Sequence, residues 1–479
     1  MPPKVRSWLM FCHKWVGYYA GLILFVLFFT GSLATFNLEL QQWIQPQTAL
    51  KAHLTKQGLQ QAEKIFYSEL EKNKFSFLRL PSRRDPVIRI WHFDGHIFHG
   101  PALNPNTGKI IPQSDNIGGV FFVILHDNLH LPALWGSLII FIVSIGLFIT
   151  LITGTWLHIK KFISDLCLFR PSAQKIRRWL DFHLIVGCIS LPALIIISFS
   201  GIFLQYYKIS AYFEASPPIT TTPIQAIHDS SLNELLKKGE KEWGNSEGSF
   251  FLLTPQSINF IRGDDTNFCA NRPHISANGL SSPIRLKCPT LRHFFLGMHD
   301  LHWADSSLRI IYGILGFIGS ALIGSGLILF YNKNYNQKYN KNRKPFLFIS
   351  PLIYRALNNG TLIGLPLASL ALLWSARLDA PSFANHDQWE IFVFSSIWIS
   401  SYLIALIFKN GFYILNSFLA LSGLGLFFID IITRGFISPH LAVFIMIDMA
   451  AFIIGLIGLY PLLKLCFFRK NLVKKSQKL

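Results

Sequence analysis

The sequence predicts a membrane all-α helical bundle of about eight spans, with two small α+β domains outside the bilayer. Three observations predict it: apolar runs long enough to cross a membrane, basic clusters that alternate with them, and an internal repeat that sets histidines at matching positions.

The apolar runs dominate the composition. Of 479 residues, 51% are hydrophobic and only 14% are charged, with a mean hydropathy of +0.38. A soluble chain of this length needs more charge to cover its surface, so most of this one belongs in lipid. The 43 phenylalanines suit lipid-facing helix surface. A net charge of +19 would also fit a nucleic-acid binder. Here, however, the lysines and arginines gather at the ends of apolar runs, the positive-inside pattern, and no nucleic-acid partner is expected.

The elements follow in chain order. Residues 1–36 hold the first span: Lys4, Arg6 and Lys14 precede an apolar stretch from Trp15 to Phe36. At about 1.5 Å per residue it crosses a hydrocarbon core of about 30 Å. It lacks a small-residue cleavage site and reads as a retained helix rather than a signal peptide. Residues 37–125 form a first polar segment. Residues 126–205 carry spans two and three around a basic loop with Lys160, Lys161, Arg170, Lys175, Arg177 and Arg178. Residues 206–298 are a second polar segment. Residues 299–344 hold the fourth span and the cluster Lys333, Lys338, Lys341, Arg343 and Lys344. Residues 345–479 supply four further spans, ending in Lys464, Arg469, Lys470, Lys474, Lys475 and Lys478. Pro366 interrupts the run at 353–374 and leaves the count open by one. Placing the basic clusters inside puts both termini in the cytoplasm and both polar segments outside.

Each polar segment reads as a small α+β domain. In the first, a helical piece at Leu59–Leu70 precedes the alternating Val87-Ile88-Arg89-Ile90-Trp91-His92-Phe93, with turns at Asp94-Gly95 and Asn106-Thr107-Gly108. In the second, short strands are expected at Phe250–Leu253 and Ile258–Ile261. Cys269 and Cys288 share that segment. On an oxidising side they could form a disulfide worth roughly 3 kcal/mol. No CxxC or CxxCH occurs, which disfavours c-type haem attachment and thiol relays.

The first four spans repeat internally. His13 is followed by Gly17 and by Thr30-Gly31; His183 is followed by Gly187 and by Ser200-Gly201, at the same separations. Likewise His126-Asp127 precedes Thr153-Gly154, and His299-Asp300 precedes Ser325-Gly326. Copies related by an axis along the membrane normal would face equivalent histidines across the bundle. His13 and His183 then lie at the cytoplasmic mouths of spans one and three. His126 and His299 lie at the outer mouths of spans two and four, with His130 and His302 a turn deeper. Two imidazoles from facing helices make a six-coordinate b-type haem centre suited to electron transfer. The expected core is therefore a duplicated four-helix redox core holding two haems b. His13 and His183 would bind one haem iron, and His126 and His299 the other. His130 and His302 are the alternative outer ligands to His126 and His299. His158 would ligate or hydrogen-bond the inner haem, or merely suit the negative end of its helix. No general acid, base or catalytic triad is demanded.

Several blocks together resemble the PepSY-associated transmembrane family. They are Leu125-His126-Asp127-Asn128-Leu129-His130-Leu131-Pro132, Gly136, Thr153-Gly154, His158, Phe169-Arg170-Pro171, Arg178-Trp179-Leu180-Asp181-Phe182-His183, Leu191-Pro192 with Ser200-Gly201, His299, and Leu308-Arg309 through Ser325-Gly326-Leu327. The resemblance covers roughly residues 6–331. It implies two b-type haems and outside domains of PepSY character, in a bacterial inner (cytoplasmic) membrane protein of the iron-regulated, ferric-siderophore reductase type. It also implies His13, His126, His130, His158, His183 and His299 as the family histidines. The implied partners are membrane lipid, a ferric chelate or siderophore, and a quinol or cytoplasmic reductant. Arg83, Arg84, Arg89, Arg262 and Arg285 are basic residues available to an anionic chelate.

Two other readings compete. A permease for an iron chelate or small solute would use Asp448, a carboxylate in mid-span; Asp430 and Arg434 read as interface residues. A membrane-anchored binding or regulatory module would use the polar segments as sensors.

Overall fold

The computed structural model describes residues 2–51, 53–70, 76–93, 98–113, 116–159, 168–214, 231–244, 248–254, 257–263, 274–276, 290–337, 350–378, 386–434 and 441–476. Among them, 8 helices are long and apolar enough to cross a membrane: Pro3–Ala34, Ala133–His158, Lys175–Phe213, Ser306–Lys333, Pro351–Arg377, His386–Ile407, Gly411–Ile432 and Phe444–Phe467. Each coincides with one predicted run. Several continue beyond it, because a helix does not stop where its sequence turns polar.

Pro366 does not divide the fifth span. A π-helical turn, Gly360–Gly364, joins Pro351–Asn359 to Leu365–Arg377. Such a turn accommodates the missing N–H and the bulk of the proline ring. Glycines there let neighbours approach: Trp398 Nε1 donates to the Gly360 carbonyl at 3.1 Å.

The chain forms two compact units. The first comprises residues 1–37, 116–202 and 311–479. Its last four spans are tied to the first four through Asn358, which accepts from Tyr18 Oη at 3.2 Å and donates to the Leu327 carbonyl at 3.1 Å. Arg377 and Asp430, both in the last turns of their spans, form an ion pair with little exposure. Asp448 is 6% exposed.

The second unit comprises residues 38–115 and 203–310. Its strands are β1 (Ser76–Arg79), β2 (Ile88–Phe93), β3 (Phe98–His99), β4 (Ala102–Leu103), β5 (Ile110–Ile111), β6 (Phe250–Thr254), β7 (Ser257–Ile261) and β8 (His274–Ser276). They make one antiparallel sheet in the order β5-β4-β2-β1-β6-β7-β8, with β3 paired to β2. Leu78 of β1 is opposite Ile90 of β2 on one side and Phe251 of β6 on the other. Two separate small domains were expected; instead the segments share a sheet. The reason is burial. Leu78, Ile88, Ile90, Phe251, Phe260 and Ile275 share one core with Leu59, Ala62 and Phe66 of Lys56–Leu70 and Leu232, Leu235 and Leu236 of Leu232–Trp243. The second segment brings only β6, β7 and β8, and it buries its apolar face by extending the sheet of the first along β1. Two spans, an even number, lie between the segments, as their sharing one sheet requires.

Charge inside this unit is spent on pairing. Arg89 donates to both oxygens of Asp85, at 2.6 and 2.9 Å, and both side chains are about 5% exposed or less. Arg84 is bidentate to Glu39. The buried Arg89 is therefore not available to an anionic chelate, and Arg84 has one edge already engaged. Arg285, Cys269 and Cys288 lie outside the described residues, so the expected disulfide falls there too.

Candidate functional site: histidines seated on glycines

One local device occurs three times in the first unit. The His13 ring lies on Gly154, where a Cβ would come within 2.9 Å of its Cε1. Its Nδ1 is 3.1 Å from the Thr150 carbonyl, four residues before that glycine. The His126 ring lies on Gly31, where a Cβ would come within 2.8 Å, and its Nδ1 is 2.8 Å from the Leu27 carbonyl. The His183 ring lies on Gly326, 3.3 Å from a notional Cβ, with Nδ1 3.1 Å from the Leu322 carbonyl. Each carbonyl is the helical one facing the cleft that its glycine opens.

A hydroxyl residue precedes each glycine, and its side chain turns back along its own helix. Thr153 donates to Ile149 at 2.8 Å, Thr30 to Val26 at 2.7 Å and Ser325 to Leu322 at 2.7 Å. The fourth small-glycine pair shares this habit, with Ser200 donating to Ile196 at 2.8 Å. Such residues bond inward without asking for space, which keeps the glycine face open. The paired motifs thus interlock crosswise. His13 of the first span uses the glycine of the second, while Gly31 of the first span receives the histidine that precedes the second.

The carbonyls fix the tautomer. A carbonyl only accepts, so each Nδ1 carries the proton and donates, and each Nε2 keeps its lone pair. A ring held this way at Nδ1 is the usual arrangement of a metal-ligating imidazole.

His13 and His183 face one another. Their ring centroids are 6.3 Å apart with planes at 75°. Gly17 and Gly187 lie one turn on from each histidine. Beyond its own helix, a Cβ on Gly17 would meet only Thr150 Cγ2 at 3.5 Å, and one on Gly187 only Leu322 Cδ1 at 3.3 Å. His158, ending Ala133–His158, is within electrostatic reach of both rings.

The outer histidines sit differently from the expectation. His126 belongs to a separate short helix, Val120–Asn128, ahead of the second span. That helix ends at Leu129, which is left-handed at φ 59°, and His130 follows at φ 52° in the connection. Pro132 then starts Ala133–His158. His130 is therefore not a turn deeper on a continuous span. Its Nε2 donates to the Phe121 carbonyl at 3.1 Å, and its ring packs on Phe121 at 4.5 Å. Burial lowers its pKa, against the smaller opposing effect of that bond. His299 likewise closes a short helix, Leu291–Asp300, with Leu301 left-handed at φ 46° and His302 after it. His299 and His302 belong to the second unit and His126 to the first.

Other participants were missed at the sequence level: the carbonyls of Leu27, Thr150 and Leu322, and the hydroxyl of Ser325, which is 2.9 Å from His183 Nδ1. Their signal was present, since each carbonyl lies four residues before a repeated glycine.

Eight apolar helices and rings interlocked between them define a multi-pass helical membrane protein. The chain matches the PepSY-associated TM region family over residues 10–333 and belongs to it. No curated protein matches the chain. Residues 334–479, with the last four spans, lie beyond the family match.

Proposed function

We propose that this chain is a di-haem b electron-transfer protein of the bacterial inner membrane that reduces ferric chelates of siderophore type on its extracytoplasmic side. The carrying observation is the His13–His183 pair. Two imidazoles sharing one metal, with about 2 Å from nitrogen to metal and about 1 Å from nitrogen to ring centre, have centroids about 6 Å apart. The observed 6.3 Å fits. So does the sparse surrounding of Gly17 and Gly187, beside which a flat macrocycle needs room.

A b-type haem supplies reversible one-electron exchange at its iron. The chain's own residues do the rest. His13 and His183 would hold one iron through Nε2, while the Thr150 and Leu322 carbonyls keep Nδ1 protonated and raise ligand basicity. His126, with the same Nδ1 anchorage, is the better candidate than His130 for a second centre. His299 is its repeat counterpart. His130, whose Nε2 is engaged, serves as a helix-end brace. A cytoplasmic or quinol donor and a ferric chelate are the partners this reading requires. A ferrous ion binds siderophores more weakly, so reduction would release it.

The test is spectroscopic. Purified protein made with full haem supply should show a Soret band and α-bands that sharpen with dithionite. His13→Ala and His183→Ala should each remove one haem and spare the other. Colourless protein would sink the reading. The transporter reading retains one supporting observation, the buried Asp448, and is favoured if sealed vesicles take up substrate without any reduction.

A further inference from the structure

The spans beyond the family match reach the segment that carries His126. Residues 116–130 run from Asn116 through Gly118, in the left-handed region at φ 61°, into the short helix and its two left-handed residues. A stretch with three such residues is not held by helix propensity.

Glu390, in the first turns of the span His386–Ile407, grips its beginning. One carboxylate oxygen accepts from Asn116 Nδ2 at 2.6 Å and the other from the Ile117 backbone N–H at 3.0 Å. Glu390 is 1% exposed, and Ile117 is buried with it. One turn on, Phe394 packs edge-on against Phe121 at 4.5 Å. Phe121 in turn carries the His130 ring and accepts its Nε2–H. A carboxylate this buried is costly unless its oxygens are satisfied. Here both are satisfied by one short loop, and that loop leads into the helix bearing His126.

We propose that Glu390 is a positioning residue for His126, and that the last four spans thereby set the geometry of that histidine from outside the family core. This rests on the haem reading only for its spectroscopic part; the positioning itself is readable without haem. Span one holds the His126 ring at Leu27 and Gly31, and span six holds the start of its helix. The ring is thus fixed from two independent elements.

The experiment uses the full chain and hydrogen–deuterium exchange over residues 116–130 in haem-depleted protein. Glu390→Leu removes both acceptors and should accelerate exchange there about tenfold or more, roughly the effect of losing hydrogen bonds to a charged group. Because that variant could fail to accumulate, Asn116→Asp is the second. It sets two carboxylates together and should give the same acceleration. The double variant Asn116→Asp with Glu390→Gln restores a donor–acceptor pair, with Ile117 N–H still accepted, and should restore protection. In haem-replete protein the single variants should lose or shift the His126 spectrum and keep that of His13 and His183. Unchanged exchange in Asn116→Asp, or no restoration in the double variant, overturns the proposal. Wild-type protein without haem, but with the expected exchange pattern, sinks the haem reading alone.

Discussion

Gly31 and His126 touch so closely that a Cβ on the glycine would come within 2.8 Å of both Cε1 and Nδ1 of the ring. Gly31→Ala must therefore push the ring off the Leu27 carbonyl. Overpacking of this kind costs about 1–3 kcal/mol. Thermal unfolding in detergent should show that loss, and haem content should fall. In haem-depleted protein Gly17→Ala is the contrast, because its Cβ meets only Thr150 Cγ2 at 3.5 Å. Its stability should change little. Equal losses in the two variants would refute the seating role.

The two inner rings differ in their hydroxyl neighbours. Ser325 Oγ is 2.9 Å from His183 Nδ1, whereas Thr153 Oγ1 is 3.4 Å from His13 Nδ1. Ser325→Ala should cost about 1 kcal/mol, as for an ordinary hydrogen bond, and Thr153→Ala less. Denaturation midpoints check this order, and a reversed order would contradict it.

His130 makes the loop acid-sensitive. Burial lowers its pKa below the usual 6.5. The unfolded segment therefore binds a proton that the folded one refuses. Stability is full above the unfolded value and falls as pH drops through 6.5 toward the lowered folded value. Protection of residues 116–130 against exchange, corrected for intrinsic rates, should decline over that window. In His130→Gln the decline should flatten. A slope unchanged by that substitution would assign the effect to another group.

In the sheet unit, Asp85→Ala strands the buried Arg89 guanidinium and should destabilise by about 3–5 kcal/mol. Limited proteolysis of the intact protein, read as faster cleavage within residues 38–115, measures it. Asp85→Ala combined with Arg89→Met removes the stranded charge and should recover most of the resistance. No recovery would mean that the pair does more than neutralise itself.

The spans were legible because hydropathy depends on local composition alone, and eight runs gave eight helices. The repeat was legible too, including the small-glycine pairs. What those glycines do was not. The repeat marked Gly31 and Gly154 only as matching positions, and that they receive rings from other elements came from the structure. Crosswise pairing is a property of packing, which periodicity cannot report. The short helix at Val120–Asn128 was hidden for a different reason. Leu129 and His130 adopt left-handed backbone without a glycine to announce it. Two domains were read where one sheet exists, because pairing between β1 and β6 leaves no mark within either segment. The exposure of arginines was likewise unreadable: nothing near Arg89 in composition says that Asp85 will take its Nε–Nη2 edge.

The shared sheet has a consequence for biogenesis. When the first polar segment is made, β1 lacks its neighbour β6, which is synthesised only after two more spans. Should either span fail to insert, β6 ends on the wrong face of the bilayer and β1 keeps an open edge. Completion of the sheet thus depends on both crossings, and a mis-threaded chain is left with the edge of β1 that β6 would cover unpaired.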